Sequence, residues 1–423
     1  MIIRENNELI IDGINAKTLV QKYGTPLYVL SKDSIVDKCT CIKNDFLNKY
    51  PNSRAAYASK AFLTKSMCKI IENEGFCLDV VSIGELYTAI KAGFPAERIE
   101  VNGNNKSIEE IEMAVSYGVG RIIIDATDEL SLIEEACEKF NKKIKVLIRV
   151  SPGVDSHTHK YITTGNIDSK FGIPLDNSIF NSVFKNVLNS SYVELVGFHF
   201  HVGSQLHEND SYLMATDILL KIIKDVKNNY DFITKEVNIG GGFGIRYTDN
   251  DNEQLYSYFL DPVMEKINSG FDELCIQHPA VVIEPGRSIV ANAGVTLYSI
   301  GTIKDIPNVR KYVSVDGGMT DNIRPALYGA EYECQVLNDC KEKETVSICG
   351  KCCESGDILV RDALINSASR GDILAIFTTG AYCYSMSSNY NKIPLLPVVQ
   401  TSNNSEELIV RRQTLDDLIS REL

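Results

Sequence analysis

The sequence predicts an α/β protein, with a (β/α)8 barrel of the TIM type and a β-rich domain built from both chain termini. From about residue 32, short apolar runs alternate with amphipathic segments at helical spacing, and eight such runs precede residue 290. Eight βα units are the number that closes a barrel. After residue 290 the alternation stops and only β-like runs follow. With 423 residues, the chain is also too long for one ordinary core.

Helix-capping signals separate several of the predicted barrel strands. Ser82 with Glu85 forms a capping box that opens a helix over 83–92, and Gly93 stands where a C′ glycine belongs. Ser107 begins a second box of the same kind. The eight predicted strands are Arg54–Ser59, Leu78–Val81, Ile99–Asn102, Arg121–Asp125, Lys145–Val150, Val193–Val202, Glu236–Ile239 and Ala280–Glu284.

The predicted domains are a barrel over residues 32–290 and a β-sandwich or barrel-like domain over 1–31 and 291–423. The carboxyl-terminal segment 406–423 mixes a strand-like run with a short amphipathic helix. The β-like runs after the barrel are Val295–Ile303, Tyr312–Val315, Val346–Ile348 and Ile373–Ile376.

Composition and charge exclude several classes of partner. The net charge of -13, without a compensating basic stretch, argues against binding nucleic acid or anionic membranes. Neither a signal peptide nor an apolar run of membrane-spanning length is found, and twelve scattered cysteines indicate reduced thiols in the cytoplasm. Cys349 and Cys352 have the spacing of half a zinc site or a redox pair, which is weak without a second half.

Lys60 ends the first predicted barrel strand, at the end where catalytic residues of such barrels collect. A partly desolvated lysine loses its proton readily and can form a Schiff base. A single lysine is more often an ordinary solvated surface residue. The functional interpretation of Lys60 therefore depends on what the other strand ends carry.

The sixth predicted strand ends with two histidines on one face. A period of two places His199 and His201 together, pointing into the barrel, with His201 nearer the mouth. Two histidines on one face also suit a metal ion, but no inward carboxylate is tied to them by local spacing, so no metal site is predicted. For His199 we expect a hydrogen-bonded core residue.

Strands seven and eight end in residues suited to a charged ligand. Gly240, Gly241 and Gly242 allow backbone N–H groups to approach an anion, although a glycine run alone is as often only a turn. Barrels often hold phosphate in these loops, and the spacing matches neither a P-loop nor a dinucleotide fingerprint. Glu284 and Arg287 either form a salt bridge or bind a ligand, Glu284 a cationic nitrogen and Arg287 a carboxylate or phosphate.

Together these strand ends predict a pyridoxal phosphate site. An imine-forming lysine, a flat-stacking histidine, a phosphate cradle and a carboxylate for a ring nitrogen are the groups that this cofactor requires. Asp79, on strand two, is a further carboxylate among the strand ends. No single one of these features is specific, and the prediction depends on all of them together.

These segments resemble the alanine-racemase-type, or fold type III, pyridoxal phosphate enzymes, and within them the diaminopimelate decarboxylase family. The resemblance covers almost the whole chain, with departures at Asn102 and after Asn391. The stretches that carry it are Tyr57–Phe62, Asp79–Leu86, Gly103–Ser107, Arg149–Gly172, His199–Gln205, Gly240–Gly244, Glu284–Gly294, Asp316–Ala330, Cys353–Asp357 and Gly380–Asn391.

The resemblance implies a role for each site residue. Lys60 would form the Schiff base, His201 would stack on the cofactor ring, and Glu284 would face the ring nitrogen. The other implied cofactor-binding residues are Asp79, Ser204, Gly240, Gly241, Gly242, Pro285, Gly286, Arg287 and Tyr382. The implied substrate-binding residues are Arg287, Arg324, Tyr328, Glu354 and Tyr382.

The implied reaction is decarboxylation of meso-2,6-diaminopimelate to L-lysine and CO₂. The resemblance implies a homodimer with shared active sites, in which Cys353 and Glu354 reach into the partner's barrel. Cys353 would protonate the α-carbon and Cys352 would pack in the core.

Three other functions fit the same residues less well. Another basic amino-acid or polyamine-precursor decarboxylase of this fold is disfavoured by Arg324, because a monocarboxylate substrate needs no second arginine. A non-catalytic cofactor-binding protein would not need Cys353, Glu354 or the β-rich domain. A racemase would need an acid/base pair on both faces of the ring, and the sequence does not reveal one.

Overall fold

The computed structural model describes residues 1–5, 7–154 and 169–423, which form two compact units. The barrel unit comprises residues 39–244 and 253–286. The β unit comprises residues 1–38, 245–252 and 287–423. Residues 155–168 of the resemblance stretch Arg149–Gly172 lie outside the described residues.

Eight parallel strands close into a barrel, and we number them one to eight along the chain. Each strand pairs with the next along the chain, and strand eight pairs with strand one, so the ring is complete. The predicted (β/α)8 fold is therefore confirmed. The strands span Ser53–Ala58, Cys77–Val80, Ile99–Val101, Arg121–Ile124, Ile144–Ser151, Val193–His199, Glu236–Asn238 and Ala280–Ile283.

Seven helices of the described barrel unit connect these strands, and local capping fixes where several of them begin. Ser82 Oγ accepts the N–H of Glu85 at 3.3 Å, and Gly93 ends that helix with a left-handed φ of 72°. The reciprocal half of the predicted capping box differs, because Glu85 Oε2 accepts the N–H of Val81 at 2.8 Å. The helices span Lys65–Asn73, Ile83–Ala92, Ile108–Tyr117, Glu129–Phe140, Asn177–Asn189, Asp210–Tyr230 and Tyr256–Glu273.

Shorter elements complete the barrel unit. The helix Lys32–Ile42, within which the β unit ends at residue 38 and the barrel unit begins at residue 39, is followed by the π-helical turn Lys43–Leu47 and strand one. The 3₁₀ turns are Ser59–Ala61 and Ala96–Arg98, and the short strand Ile173–Pro174 pairs with the end of strand five.

Buried charged groups meet inside the barrel beneath the strand ends. Arg121 Nε on strand four donates to Glu236 Oε1 on strand seven at 2.5 Å. The buried Glu100 of strand three lies 3.8 Å from Arg121 Nη1 and accepts a hydrogen bond from Asn238 Nδ2 at 3.0 Å. Burial raises the pKa of Glu100 to about 8, with Arg121 opposing the shift. The hydrogen bond to Glu100 therefore fixes the Asn238 side chain to this network.

The β unit is built around the 13-residue strand Gly294–Ile306. Its first half pairs antiparallel with Leu27–Ser31 and Ile373–Phe377, and its second half pairs with Arg310–Val315. The other strands of this sheet are Cys334–Val336, Lys343–Cys349, Ile358–Asn366, Val398–Ser402 and Ser405–Val410. A separate small sheet contains Ile2–Glu5, Glu8–Ile11 and Ile14–Asn15.

Both termini contribute to the large sheet, as predicted. The amino-terminal strand Leu27–Ser31 lies between Gly294–Ile306 and the carboxyl-terminal strand Val398–Ser402. Along the long strand, Leu297 packs in one apolar cluster and Tyr298 in another, as the period of two requires. The remaining helices and 3₁₀ turns are Ala16–Tyr23, Arg287–Val290, Ala291–Ala293, Arg324–Tyr328, Tyr384–Met386, Tyr390–Lys392 and Leu415–Ile419.

None of the helices that the structure describes has both the length and the apolar character needed to cross a lipid bilayer.

Candidate active site

A cavity of about 630 Å³ opens at the carboxyl ends of the barrel strands. Four predicted site residues line it together: Lys60 after strand one, Asp79 on strand two, His201 after strand six and Glu284 after strand eight. Its other lining residues include Asn102, Arg149, Phe171 and His199.

Lys60 is presented by a short turn rather than by a helix. Strand one ends at Ala58 and the 3₁₀ turn Ser59–Ala61 follows, which leaves the lysine side chain exposed in the cavity wall. Tyr57 Oη fixes the turn by donating to the carbonyl of Phe62 at 2.8 Å. The N–H of Ala58 donates to the carbonyl of Pro285 at 3.1 Å, so the loops after strands one and eight are joined.

Glu284 is buried and held by three donors on one oxygen. Its Oε1 accepts from Asn238 Nδ2 at 2.9 Å, His199 Nε2 at 3.0 Å and Asn102 Nδ2 at 3.1 Å. Burial alone would raise the pKa of Glu284, but the interactions with His199, and then with His201 and Lys60, outweigh it and lower the pKa to about 2. Since a carboxylate only accepts, His199 carries its proton on Nε2. His199 is therefore a buried, hydrogen-bonded residue, as predicted, and its partner is Glu284.

Asp79 and Glu284 are two buried carboxyl groups linked by one amide, and only Glu284 carries a negative charge. Asn102 Nδ2 donates to Asp79 Oδ1 at 2.7 Å as well as to Glu284. Burial, and then the negative charge of Glu284, raise the pKa of Asp79 well above its usual range. Asp79 therefore retains its proton while Glu284 is ionised.

The turn after strand seven has no space for side chains. Gly240 and Gly242 have φ values of 70° and 114°, which favour glycine. A Cβ on Gly240 would lie 2.7 Å from His201 Nδ1, and one on Gly241 would clash with the carbonyl of Glu284. Only glycine therefore allows the turn to pack this closely against His201 and the backbone of Glu284.

His201 is neutral and adjoins this turn. Desolvation, and then the charge of Lys60, lower the pKa of His201 to about 3. Its Nδ1 accepts the N–H of Gly241 at 3.3 Å, so its proton is on Nε2. Ser204 lies exposed on the adjacent loop, which is joined to the glycine turn by the Leu206 N–H to Gly242 carbonyl hydrogen bond of 2.9 Å.

Two arginines lie among tyrosines in the β unit. The guanidinium carbons of Arg287 and Arg324 lie 4.7 and 5.6 Å from the ring centre of Tyr382, which has a left-handed φ of 61°. Arg324 is also 5.5 Å from the ring centre of Tyr328. The left-handed backbone conformation of Tyr382 is strained for a residue other than glycine, and residues strained in this way concentrate at functional sites. We call these four residues with Tyr247 and Tyr332 the arginine–tyrosine cluster.

Arg324 is buried, with only 9% of its surface exposed. Its side chain donates to Tyr332 Oη at 2.9 Å, and no carboxylate in the described part of the chain pairs with it. A buried cation without an anionic partner is costly, so this guanidinium is suited to an anionic ligand.

Cys353 and Glu354 are exposed on a tight turn of the β unit, and Cys352 beside them is buried. The N–H of Cys353 donates to Asn391 Oδ1 at 2.7 Å. Asp357 folds the turn, because its carboxylate accepts the N–H of Cys352 at 2.8 Å. Of the two thiols, Cys353 is therefore the accessible one and Cys352 the buried one, and the roles given to them above stay predictions.

Sequence reasoning missed four residues that the structure brings to these groups. Asn102 and Asn238 bridge carboxylates, and Asn238 Oδ1 also accepts the N–H of Gly240 at 2.9 Å. Arg149 lines the cavity and is paired with Asp125 at 3.1 Å. Tyr247 contacts both arginines of the cluster. The position of Asn102 and Asn238 at strand ends was the available signal.

The residues of the barrel cavity fit pyridoxal phosphate. The neutral ring of His201 lines the cavity beside the glycine turn, in which Gly242 is half-buried while the N–H groups of Gly240 and Gly241 are donated to Asn238 and His201. Glu284 offers an ionised carboxylate, and all hydrogen bonds that the described residues give it converge on Oε1. Its second oxygen suits a protonated ring nitrogen.

Comparison with known proteins gives consistent matches along the whole chain. A family profile described as the pyridoxal-binding domain of pyridoxal-dependent decarboxylases matches residues 33–291. The chain is 45% identical over 421 residues to the diaminopimelate decarboxylase of Bacillus subtilis, covering 99% of this chain and 96% of that protein. It is 46% identical over 413 residues to the corresponding protein of Bacillus methanolicus, covering 97% and 96%.

Solved structures agree with these matches. Diaminopimelate decarboxylase from M. jannaschii in complex with L-lysine is 34% identical with a TM-score of 0.95, covering 100% of this chain and 98% of that one. A lysine/ornithine decarboxylase from Vibrio vulnificus, complexed with putrescine, has a TM-score of 0.76 at 22% identity, covering 92% and 97%. The second similarity is one of fold alone.

Proposed function

The chain belongs to the diaminopimelate decarboxylase family of pyridoxal-dependent decarboxylases, and from this premise we propose how its residues perform the family's reaction. The reaction is decarboxylation of meso-2,6-diaminopimelate to L-lysine and CO₂, the last step of lysine biosynthesis. The observation that carries the proposal is that Lys60 and the ionised Glu284 line the same cavity.

Each cofactor-binding residue has a distinct task. Lys60 holds pyridoxal phosphate covalently through its amine, and His201 packs its neutral ring against the cofactor. The glycine turn would hold the phosphate of the cofactor, and the further residues that would contact the cofactor are Asp79, Ser204, Pro285, Gly286, Arg287 and Tyr382. When bound, this cofactor supplies an electron sink for the charge that departing CO₂ leaves on the α-carbon. Glu284 maintains that capacity by holding a proton on the ring nitrogen.

Substrate selection depends on the two charged groups at the distal end of the substrate. Arg287 and Arg324 bind the distal carboxylate, while Tyr328 and Tyr382 donate hydrogen bonds to it. The burial of Arg324 without a carboxylate among its described neighbours supports this role. Glu354 binds the distal ammonium. A site built for these groups rejects lysine and ornithine, because its buried polar groups would stay unpaired.

Cys353 returns a proton to the α-carbon, and it acts from the second subunit of a homodimer. Cys353 is exposed beside Glu354, which is also exposed, and this position supports a role in the active site of the partner subunit. We place the enzyme in the cytoplasm, because its twelve cysteines are all free thiols.

The test is CO₂ release by the purified protein with pyridoxal phosphate added. Release from meso-diaminopimelate should exceed release from L-lysine, L-ornithine and L-arginine by about 10⁴-fold, the discrimination typical of sites with specific polar partners. Equal or faster release from L-lysine or L-ornithine would instead identify a basic amino-acid decarboxylase. Lys60→Ala is the control, since it removes the covalent attachment and should abolish release from every substrate.

A further inference from the structure

Each arginine of the arginine–tyrosine cluster donates to a different tyrosine. Arg287 Nη1 donates to Tyr247 Oη at 2.6 Å, and Arg324 Nε donates to Tyr332 Oη at 2.9 Å. The rings of Tyr247 and Tyr332 pack edge to face, with centres 5.4 Å apart and planes at 83°. A continuous chain of contacts, arginine to tyrosine to tyrosine to arginine, therefore joins the two cations.

Tyr247 also contacts both charges through its ring. The guanidinium carbons of Arg287 and Arg324 lie 5.8 and 5.9 Å from its ring centre. The two positively charged guanidinium groups repel each other. Cation–π attraction of both groups to the Tyr247 ring offsets part of this repulsion. Burial raises the pKa of Tyr247, and it raises the pKa of Tyr332 well above its usual range, so both phenols remain neutral.

We propose that Tyr247 and Tyr332 are positioning residues that set the spacing of the two guanidinium groups and thereby select a substrate with a carboxylate at its distal end. The inference rests on the proposed function and adds two residues to it. Neither tyrosine needs to touch the substrate. Each acts through the arginine that it holds, and their ring packing transmits the position of one arginine to the other.

This role predicts a particular kinetic signature. A misplaced guanidinium weakens binding of the distal carboxylate in the ground state and in the transition state alike, so KM rises while kcat stays nearly constant. Residues that merely stabilise the fold would instead reduce the amount of active enzyme. Because the two tyrosines act as one unit, their effects should not combine independently.

The experiment compares Tyr247→Phe, Tyr332→Phe and the double variant with the wild-type holoenzyme. Each single variant keeps the aromatic ring and loses only the hydroxyl that accepts from arginine. We expect KM for meso-diaminopimelate to rise about tenfold in each, equal to about 1.4 kcal/mol, with kcat within about twofold of wild type. The double variant should raise KM by less than the product of the two single effects.

A matched control and a binding measurement separate positioning from general damage. Tyr117→Phe removes a hydroxyl that donates to the Phe94 carbonyl at 2.8 Å in the barrel unit, and it should leave KM unchanged. Pimelate, a seven-carbon dicarboxylate without amines, should inhibit both cluster variants about tenfold more weakly than it inhibits the wild type. The pyridoxal phosphate dissociation constant should be the same in wild type, Tyr332→Phe and Tyr117→Phe, whereas Tyr247→Phe is compared by KM and pimelate inhibition because its partner Arg287 is also a proposed contact of the cofactor.

Unchanged KM and pimelate inhibition in both cluster variants would overturn the inference. So would a parallel loss of kcat and of cofactor affinity at constant KM. If one variant does not fold, the other decides by the same criteria. A wild-type protein that does not turn over meso-diaminopimelate would refute the proposed function instead, so the two failures are distinguishable.

Discussion

Replacing Glu284 by glutamine separates the charge of this side chain from its hydrogen bonds. The three donors that meet Oε1 at 2.9–3.1 Å can all be accepted by the amide oxygen of glutamine. What the variant loses is the negative charge that we propose faces the ring nitrogen of the cofactor. We therefore expect Glu284→Gln to fold and to bind pyridoxal phosphate, but to turn over slowly.

The size of this loss follows from the electrostatic role of the carboxylate. Removing one group that stabilises developing charge typically lowers kcat by about 10²–10³, or about 2.7–4 kcal/mol. Glu284→Ala differs, because it also removes three buried hydrogen bonds and leaves His199 Nε2 without an acceptor, while Asn102 and Asn238 each keep one. At about 1–3 kcal/mol for the orphaned donor, it should lower the free energy of unfolding by at least about 1 kcal/mol.

Both variants can be followed by CO₂ release, cofactor titration and thermal unfolding. For Glu284→Gln we expect a wild-type unfolding temperature with strongly reduced kcat, and for Glu284→Ala a reduction in both. A Glu284→Gln protein that retains turnover within about threefold of wild type, with cofactor bound, would refute the role of the charge.

Three further predictions concern the other charged and titrating groups. Arg324→Met should raise KM for meso-diaminopimelate at least about 100-fold but leave the unfolding temperature unchanged or higher, because it removes a buried unpaired cation; a lower unfolding temperature would contradict that picture. Cys353→Ala and Lys60→Ala should each be nearly inactive, and a mixture allowed to exchange subunits should exceed the sum of the two, since one hybrid site is intact; no gain would argue against shared sites. The low pKa of His201, about 3 against 6.5, makes the folded protein bind fewer protons than the unfolded chain between those values, so stability is full above pH 6.5 and is lost as pH falls. His201→Gln should therefore lose less unfolding free energy between about pH 7 and about pH 5, measured by urea titration, and an identical loss would contradict the assignment.

The periodic features of the chain were predictable because they depend on neighbouring residues. All eight barrel strands were found, and Lys60, Asp79, His201 and Glu284 were placed at strand ends that the barrel brings together. Period two and strand-end position are local properties, and parallel closure of the sheet then places the strand ends around one cavity.

Contacts between distant segments were not predictable in the same way. Asn238 and Glu284 are 46 residues apart, and nothing local indicates that this amide donates to that carboxylate. Tyr247 likewise meets Arg287 only through the fold. The helix Ala16–Tyr23 was missed for another reason, since its signals are a capping Asn15 and Gly24 flanking only two turns. The predicted domain boundaries and residue roles stay predictions.

The central place of Leu27–Ser31 in the large sheet has a consequence for biosynthesis. Its two hydrogen-bonding neighbours are made only when residues 294–297 and 398–401 leave the ribosome. Until then this strand, all five residues of which are buried in the folded protein, has no native partner on either edge although it is among the first segments to emerge. Nascent chains of this protein should therefore depend on chaperones for most of translation, and ribosome stalling before residue 398 should yield aggregates rather than a folded fragment.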